Sequence, residues 1–456
     1  MSAEVRFAAT ARLQRPLVGA LSVALFGAPL LASATASTPQ APQNWPVQTC
    51  NDATGPGSLR YIADHAVSGD TIDFSQLPTL CGMRDSTITL TAGEVVLHQA
   101  DITLKGPPPG SGTVTLSANN LSRVLKHQVA PSVGTLNIQY LRIKYGNATD
   151  VGNVRGGCIY SDANIDIFGS SVSGCSVSSE MGNAYGGGIG QEGTGRTVTV
   201  TLSTISGNTA DADNTGNGIG GGVSAWSLVS RYSNFIGNAA AVQGGGASVL
   251  GDSLVKYSTF ADNDTGGSGG AIGHWIDTNL MIVNSTLSGN HSYGVGGAVL
   301  SGGNLEIDNS TVAFNTSGSS SAGGAYFKGD TVTLRSTIVA NNSSATQVGA
   351  DLFVKVGMLV GTDNAVMSSN VNPAGVITVT SDPMLAPLSW IGGPTRTHGL
   401  MPGSGLISKG SNAINQTYDQ RGAGFLRTTG PTATVDIGAV QFDDRIFVSN
   451  FDRFFF

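Results

Sequence analysis

In the central part of the chain, apolar and polar residues alternate over short stretches that glycine or small polar residues separate. Leu305 and Ile307 alternate with Glu306 and Asp308, as a half-buried strand requires. Residues 296–300 before them and 310–314 after them also have the residue types of strands. No helical period of 3.6 residues is present here. The pattern therefore predicts three short strands in this unit.

The unit repeats along the chain. A phrase with the form Ser-x-x-x-x-Asn recurs, and its closing asparagines are 30, 25, 27, 25 and 26 residues apart. A unit this short cannot bury its own apolar face, so the copies must stack, with parallel strands about 4.8 Å apart. We therefore predict an all-β parallel β-helix, or β-solenoid, with three strands per coil. The phrases run from Ser203 to Asn208, Ser233 to Asn238, Ser258 to Asn263, Ser285 to Asn290, Ser310 to Asn315 and Ser336 to Asn341.

Two residue types are expected to form the turns. Glycine clusters between the phrases, such as Gly244 to Gly246, would let the chain turn a tight corner between sheets. Each closing asparagine is expected to adopt a left-handed backbone conformation. The asparagine side chains of successive coils would then bond one another along the column.

The ends of such a column expose unpaired strand edges, so caps are expected. Residues 58–66 read as a short amphipathic helix with Ser58 as its N-cap, which would cover the first coil. A segment rich in Pro and Gly follows the repeats. The predicted organisation is a signal peptide at 1–36, an N-terminal cap segment at 37–85, the parallel β-helix at 86–380, a C-terminal cap segment at 381–442 and a tail at 443–456.

The first residues have the pattern of a secretory signal peptide. Arg6, Arg12 and Arg15 precede an apolar run at 17–31, which ends in small residues around Ala34. This run of about 15 residues is shorter than the roughly 20 that a membrane-spanning helix needs. We expect export to the extracellular space or outer cell surface, with no transmembrane segment in the mature chain.

Charge excludes one class of partner. The net charge is −7, and only 12% of the residues are Asp, Glu, Lys or Arg. Between Gly156 and Ala350 there are 13 acidic and 5 basic residues. No basic stripe follows a nucleic-acid backbone, so no nucleic-acid partner is expected. The same acidic bias opposes strong binding of a polyanion unless metal ions bridge the two.

Four cysteines in an exported chain fit two disulfides, with three possible connectivities. Cys50 and Cys81 flank the N-terminal segment and are the first expected pair. Cys175 stands where later repeats have asparagine, and Cys158 stands where a new strand begins, so these two should lie close together. Metal ligation is the alternative, but no CxxC spacing supports it.

Two motifs alternate in the repeat, Gly-Gly-Ala at Gly269 and Gly296, and Phe-x-x-Asn at Phe235 and Phe260. Through this alternation the chain resembles exported right-handed parallel β-helix proteins with polymorphic outer-membrane-protein repeats. The resemblance implies a right-handed coil and a place at the cell surface.

The C-terminal segment also carries a set of motifs. It resembles the end of the choice-of-anchor class of bacterial surface proteins, and residues 55–60 and 69–73 are similar to the start of the same proteins. Ser408 departs from the usual Asp, and Val440-Gln441 from the usual aromatic residue and Glu. The matching residues are Asp382-Pro383, Gly392 to Thr395, His398, Pro402 to Ser404, Asp419 to Gly422, Arg427, Gly430 and Asp436 to Ala439.

Catalysis on the same fold is the alternative, because parallel β-helices also host polysaccharide lyases and glycoside hydrolases. Glu306 and Asp308 are predicted to face outward about 7 Å apart, a separation that suits an inverting acid and base pair. A solvated strand face is the other reading, since no apolar pocket is indicated to shift either pKa.

Two further sets of residues are candidates for binding. Asp211 with Asp213, and Asp262 with Asp264, would be able to hold Ca²⁺, although aspartate is also common in turns for backbone reasons. No cofactor is required by any motif. An aromatic track for sugar rings, or else packing at a sheet corner, is expected at Trp226, His274, Trp275, Tyr326 and Phe327.

The repeat and the absence of a complete catalytic motif favour binding. The leading hypothesis is an exported, surface-associated or secreted β-helix with an adhesin-like or matrix role, whose partner is a glycan or cell-surface ligand. A polysaccharide lyase or glycosidase is the alternative hypothesis. The sequence leaves the oligomeric state open.

Overall fold

The computed structural model describes residues 41–212, 216–319, 321–347, 349–428 and 434–442. Its strands follow one another in a fixed cyclic order, and each strand pairs in parallel with the equivalent strand of the next coil. The chain is therefore a parallel β-solenoid of about 12 turns, as predicted. The predicted signal peptide and tail lie outside the described residues.

Two long sheets, A and B, have 12 strands each. The strands of sheet A are Asn44–Pro46, Thr71–Asp73, Asp101–Lys105, Thr135–Gln139, Asn164–Phe168, Thr197–Thr201, Ser227–Arg231, Ser253–Lys256, Asn279–Val283, Asn304–Asp308, Thr331–Arg335 and Met358–Thr362. The strands of sheet B are Asp85–Thr89, Thr113–Ser117, Leu141–Lys144, Ser171–Ser173, Thr204–Ser206, Asn234–Ile236, Thr259–Ala261, Thr286–Ser288, Thr311–Ala313, Ile338–Ala340, Asn364–Val366 and Ile377–Val379.

Sheet C is the third face of the column and has 10 strands. Together with sheets A and B it gives the three strands per coil that the pattern predicts. Its strands are Val95–Leu97, Leu125–His127, Ile159–Ser161, Ile189–Gln191, Val223–Ala225, Ala247–Val249, Ile272–His274, Val299–Ser301, Ala325–Phe327 and Leu352–Val354.

Between residues 147 and 344 the coils contain more than three strands. A fourth sheet, D, has eight short strands, and a fifth, E, has three. Sheet D consists of Asn147–Asp150, Ser176–Ser179, Thr209–Ala212, Ala239–Ala240, Asp264–Thr265, His291–Ser292, Thr316–Ser317 and Ser343–Ser344. Sheet E consists of Val154–Arg155, Ala184–Tyr185 and Gly218–Ile219.

The core of the column is a stack of inward apolar side chains. In Asn304–Asp308, Leu305 and Ile307 are buried, as their alternation predicts. Equivalent residues of neighbouring coils lie directly above one another, and the rings of Phe235 and Phe260 stack with centroids 4.2 Å apart. Apolar burial along the column is the main stabilising contribution to this fold.

A buried asparagine ladder crosses the coils between sheets B and D. The backbone N–H and Nδ2 of Asn238 both donate to Oδ1 of Asn263, at 3.1 and 2.9 Å. The same two bonds recur from Asn208 to Asn342. The predicted ladder is thus confirmed, except that its last asparagine is Asn342 and not Asn341.

The left-handed backbone position precedes the ladder residue, which corrects the sequence-based expectation. Gly237 has φ +61° and Phe314 has φ +59°, whereas the ladder asparagines after them are not left-handed. Asn341 itself takes this position, with φ +58°. The ladder residue must keep its side chain inside the column, so the turn falls one residue earlier.

The glycine clusters make the turn into sheet C, as predicted. Gly296 has φ +67°, and a Cβ atom there would lie 2.2 Å from the carbonyl oxygen of Val299. Only glycine fits this close approach of the backbone to itself.

Two short helices lie near the N-terminal end, Leu59–His65 and Leu77–Leu80. The first is the predicted one, and Oγ of Ser58 accepts a hydrogen bond from the N–H of Tyr61 at 3.3 Å. Its Leu59, Ile62 and Ala63 are buried in the core of the column. Neither helix of the described part has the length to cross a membrane.

The C-terminal segment (382–442) lies along the side of the column and does not cap its end. It bonds four successive strands of sheet B, through Asn234, Thr259, Thr286 and Thr311, and also Ser336 before the next strand. Asn234 Nδ2 donates to Pro394 O, and Thr311 Oγ1 accepts from the N–H of Ala439. Its Leu385, Leu400, Leu406 and Ile437 cover the outer apolar residues of sheet B. The segment therefore buries a second, smaller core outside the column.

Residues of the anchor-like motifs hold this segment in place. Nε2 of Gln420 donates to Thr259 Oγ1 and Thr395 Oγ1, and its Oε1 accepts from Thr286 Oγ1. Arg427 is fully buried and donates to Asn309 Oδ1 at 3.1 Å. These positions have a structural role in docking.

Both expected disulfides are present, Cys50–Cys81 and Cys158–Cys175, and the described residues contain no free cysteine. Cys175 replaces a ladder asparagine, and its N–H donates to Oδ1 of Asn208 at 3.1 Å. The second disulfide therefore closes the ladder at its first rung.

Candidate binding cleft

An open cleft of about 540 Å³ lies on the outer side of sheet C, beside the coil in which sheets D and E begin. It is lined almost wholly by polar and charged side chains. The lining residues are Glu94, Leu121, Ser122, Arg123, Lys126, Gln128, Asn147, Ala148, Thr149, Asp150, Asn153, Val154, Arg155, Tyr160 and Glu192.

One wall of the cleft consists of strand edges. Asn147–Asp150 and Val154–Arg155 are the first strands of sheets D and E, and each pairs only with the following coil. The preceding coil has no counterpart, because it turns at Asn119 and Asn120, both left-handed, and passes directly to sheet C. The cleft occupies the space that those two strands would fill.

Arg123 fixes the opposite wall to this edge. Its Nε donates to Gly156 O at 2.8 Å and to Arg155 O at 3.2 Å. Its Nη1 forms an ion pair with Glu94, and its guanidinium lies 5.6 Å from the ring centroid of Tyr160. The hydrogen bonds satisfy edge carbonyls that otherwise have no strand partner.

Tyr160, Arg155 and Glu192 form the floor and the far rim. Tyr160 Oη donates to Glu192 Oε2 at 2.7 Å, and Arg155 Nε lies 3.5 Å from Glu192 Oε1. The Arg155 guanidinium stacks 4.0 Å from the ring centroid of Tyr185. Burial, and then the hydrogen bond to Glu192, raise the pKa of Tyr160. Its hydroxyl is therefore a hydrogen-bond donor and not a general base.

The charges in the cleft balance one another. Glu94 and Glu192 are each ion-paired, and Lys126 Nζ lies 3.9 Å from Glu94 Oε1. Side chains with fixed donors and acceptors and no net charge suit a ligand rich in hydroxyl groups. The cations are Arg123, Lys126 and Arg155, and the carboxylates are Glu94, Asp150 and Glu192.

Glu306 and Asp308 are not arranged as predicted. Nη1 of Arg335, in the next coil, contacts Oε1 of Glu306 and lies 3.1 Å from both carboxylate oxygens of Asp308. The two carboxylates thus meet at one guanidinium, and a separation of about 7 Å for an inverting pair is wrong. The alternation of apolar and polar residues correctly placed both carboxylates on the outer side of sheet A. It gave no information about Arg335 in the next coil.

This cluster shifts the pKa of both acids. Burial, followed by the hydrogen bond and charge of Glu306, raises the pKa of Asp308 to about 8. At Glu306, burial acts to raise the pKa, but the hydrogen bonds with Asp308 and Arg335 outweigh it and lower the pKa. Asp308 is 1% exposed, so a solvated face is also the wrong description of this residue.

Two of the predicted sugar-stacking residues face the core. Phe327 and His274 are completely buried and belong to the same inward row of sheet C. The ring nitrogens of His274 bond Ser301 Oγ at 2.9 Å and Thr278 Oγ1 at 2.7 Å, and burial lowers its pKa to about 4. Neither side chain is accessible to a ligand.

Of the other three aromatic residues, Trp226 and Trp275 are partly exposed and Tyr326 is buried, and they form no continuous track. Trp226 and Trp275 follow sheet C strands that are two coils apart. Trp275 is 40% exposed, with Lys328 Nζ 4.1 Å from its ring. Tyr326 stacks on Phe353 with centroids 5.5 Å apart. Their grouping is better described as corner packing.

Of the predicted calcium ligands, Asp211 and Asp264 lie in different strands of sheet D, and Asp262 lies in the turn before Asp264. Asp262 Oδ2 is 3.6 Å from Arg396 Nη2, and Asp264 Oδ1 is 2.6 Å from His291 Nδ1. Within the described ranges, no three His, Cys, Asp or Glu side chains are grouped to hold a metal ion. Calcium binding thus stays a prediction for Asp211, Asp262 and Asp264, with Asp213 outside the described residues.

Comparison with known proteins identifies no family. No protein-family model and no curated protein matches the chain. Among solved structures, the chain is similar to the crystal structure of pectate lyase Pel9A, with 12% sequence identity and a TM-score of 0.46. The likeness covers 89% of this chain and 97% of that one. The resemblances to outer-membrane repeats and to the choice-of-anchor class therefore stay predictions.

The sequence contained one signal for the cleft that went unused. Between residues 121 and 155 there are five Lys or Arg residues and one Asp, in a chain that is otherwise acidic. Three of these cations, Arg123, Lys126 and Arg155, line the cleft, whereas Arg142 and Lys144 lie on sheet B. The cleft residues missed were Arg123, Lys126, Arg155, Tyr160, Glu94 and Glu192.

Proposed function

We propose that the protein is an exported β-solenoid that binds a neutral, hydroxyl-rich glycan in the cleft without altering it chemically. The observation that carries this proposal is the charge-balanced polar cleft of about 540 Å³ beside the free edges of sheets D and E. Its volume falls within the range of ligand sites.

The chemistry of the lining supports a glycan over other ligands. The cleft has hydrogen-bonding groups on every side and a half-buried Tyr160 on its floor, and the ring faces of tyrosine pack well against sugar rings. Three cations balance the three carboxylates of the cleft, so it has no net charge that would attract a polyanion, and a neutral chain is favoured. An adhesin-like or matrix role at the cell surface would follow from such binding.

Two disulfides support the export part of the proposal. Disulfides persist in oxidising compartments and are rare in the reducing cytosol. Cys50–Cys81 and Cys158–Cys175 use every cysteine of the chain. The pattern of residues 1–36, that of a secretory signal peptide, points in the same direction.

The cleft lacks the groups of an acid and base catalyst. Tyr160 stays protonated, Glu94 and Glu192 are ion-paired, and Asp150 Oδ1 accepts from the backbone N–H groups of Val151 and Gly152. A general base has to accept a proton near the working pH. Binding without turnover is therefore the function that the geometry supports best.

Replacement of Arg155 tests the binding site. The variant Arg155→Ala removes the ion pair with Glu192 and the stacking on Tyr185, and we expect it to weaken glycan binding about 10-fold. The measurement is calorimetric titration with the tightest binder from a panel of neutral and acidic oligosaccharides. Arg142→Ala, an exposed arginine of sheet B with the same charge change, should bind as the wild type does.

The same panel tests the absence of turnover. Incubation of the purified protein with each polysaccharide, with and without calcium, should leave reducing ends and unsaturated uronates at the level of a buffer blank. Their appearance would instead support the lyase or hydrolase hypothesis.

A further inference from the structure

A second cavity, of about 600 Å³, lies where the C-terminal segment meets the last coils. It is apart from the cleft, and nothing proposed above uses it. Its volume also falls within the range of small-molecule sites. We refer to it as the methionine pocket, and its main lining residues are Phe314, Met367, Met384, Met401, Asp351 and Asp382.

The apolar side of the pocket is built by the docking of the C-terminal segment. Leu385 and Leu400 form an antiparallel bridge, and the N–H of Met401 donates to Met384 O at 2.9 Å. Met384 and Met401 are therefore neighbours, and Met367 of the last coils lines the same cavity. Flexible thioethers adapt to ligands of different shapes.

The aromatic wall is Phe314, which has a left-handed backbone (φ +59°) and is 41% exposed. Its ring centroid lies 5.1 Å from that of His398, which is held by Ser288 and by Ala386 O. An aromatic face attracts a cation through its negative quadrupole. Phe314 thus presents an apolar surface that also favours positive charge.

The polar side of the pocket carries more negative charge than the fold requires. Asp351 ends the asparagine ladder, and its Oδ1 accepts from the N–H and Nδ2 of Asn342 at 2.8 and 2.9 Å. In the rung before, Oδ1 of Asn342 itself accepts the same pair of bonds from Asn315, at 2.9 and 2.8 Å. A neutral amide would therefore serve Asn342 equally well, and the ladder itself does not require the charge. The carboxylate also accepts a hydrogen bond from the backbone N–H of Ser368, and burial of a carboxylate is costly.

No cation offsets this charge inside the pocket. Among the described residues that line it, two are aspartates, Asp351 and Asp382, and none is Lys, Arg or His. Burial raises the pKa of Asp351 to about 6, so its carboxylate is ionised at pH 7.5. A cavity with one apolar side and a carboxylate that no cation pairs complements a positively charged organic ligand.

We propose that the methionine pocket binds a small organic cation with an apolar body, such as an alkylammonium ion. The ammonium group would lie near Asp351 and Asp382, and the alkyl body would contact Phe314 and the three methionines.

The test compares three probes of nearly equal size at pH 7.5. We expect n-hexylammonium to bind to the intact protein at least about fivefold more tightly than 1-hexanol, and hexanoate to show no binding. Equal binding of the ammonium and the alcohol, or absence of ammonium binding, would overturn the proposal.

A conservative variant supplies the control. Asp351→Asn keeps an oxygen acceptor for Asn342, as in the other rungs, and should lower ammonium affinity to that of the alcohol. Asp382→Asn should also lower the affinity for n-hexylammonium. It provides the test if Asp351→Asn does not fold. Unchanged affinity in both variants would contradict the assignment of the charge.

A second readout locates the ligand. In protein labelled with ¹³C at the methionine methyl groups, n-hexylammonium should shift the signals of Met367, Met384 and Met401, assigned by single replacements with leucine. Met181, exposed on an earlier coil, should not move. Binding that shifts only signals outside the pocket would place the site elsewhere and refute the proposal.

Discussion

The asparagine ladder shows how single side chains hold successive coils together. Each rung satisfies a backbone N–H and a side-chain amide inside the column, where water cannot reach them. Asn263 is completely buried and also donates to Phe235 O at 3.0 Å. Loss of one rung leaves several buried groups without partners, each at a cost.

The variant Asn263→Ala tests this. Asn238 would lose the acceptor for its N–H and its Nδ2, so we expect the free energy of unfolding to fall by about 2 to 4 kcal/mol. Denaturant unfolding measures the change. The control Asn304→Ala removes only an exposed hydrogen bond to Asn279 and should change the free energy of unfolding by less than about 0.5 kcal/mol. Equal effects of the two variants would contradict the ladder's role.

Asp308 leads to a prediction about pH. Its folded pKa of about 8 is raised above the ordinary value of 3.8, so the folded protein holds a proton that the unfolded chain releases. The contribution of protonated Asp308 to the stability of the fold is fully present below pH 3.8 and is lost as the pH rises toward 8. Thermal unfolding between pH 5 and pH 8 should therefore show a larger fall in Tm for the wild type than for Asp308→Asn.

A matched control isolates the effect. Glu180→Gln, at an exposed turn, should keep the wild-type dependence of Tm on pH. If Asp308→Asn also keeps it, Asp308 does not carry the proton in the folded state.

Repetition made the ladder positions predictable, and it failed where the repeat shifts. The phrase from Ser336 to Asn341 is one residue out of register, since Thr311 pairs with Ile338 and Asn342 takes the rung. The Ser-x-x-x-x-Asn pattern is met only from Ser336, but in the structure Thr337 supplies the hydroxyl and Asn342 the amide of the rung. The burial of Val339 opposite Val312 decides this register.

At the scale of elements, the strands of sheets A, B and C could be predicted, and those of sheet D could not. Residues 304–308 alternate over five positions, which is enough to show a period of two. Thr316–Ser317 has two residues and shows no period. Its pairing with neighbouring coils, and not its own sequence, makes it a strand.

The position of the C-terminal segment could not be predicted from the sequence either. Its Pro- and Gly-rich composition indicates irregular structure but not the surface on which it lies. Small outer residues of sheet B, such as Ala313 and Ala340, accept the segment because they leave room for Leu400 and Ile437. Such a match between two distant stretches is a tertiary property.

Gln420 is expected to hold the segment on the column. The variant Gln420→Ala removes bonds to Thr259, Thr286 and Thr395, and should loosen the segment without unfolding the coils. Limited proteolysis should cut within 382–442 at least about fivefold faster than in the wild type, with circular dichroism unchanged. Gln416→Ala, which loses the contact of Gln416 with Tyr257, should have a smaller effect. Equal cutting rates for wild type and Gln420→Ala would contradict this role.

At the scale of the whole molecule, the proposed binding cleft lies where the repeat is interrupted. A uniform column would present the same surface along its length, whereas the start of sheets D and E leaves two free strand edges. Arg123 and Arg155 lie at this discontinuity. Composition and spacing predicted a binding protein, but the cleft depends on which coil first contains a fourth strand, and the sequence did not reveal that coil.

Hydrogen–deuterium exchange with a bound oligosaccharide tests the proposed binding of a glycan in this cleft. With a saturating amount of the tightest neutral oligosaccharide, residues 121–128 and 147–160 should exchange more slowly, and the other faces of the column should exchange as before. Protection confined to another face, or no oligosaccharide bound by the intact protein at millimolar concentration, would contradict the account.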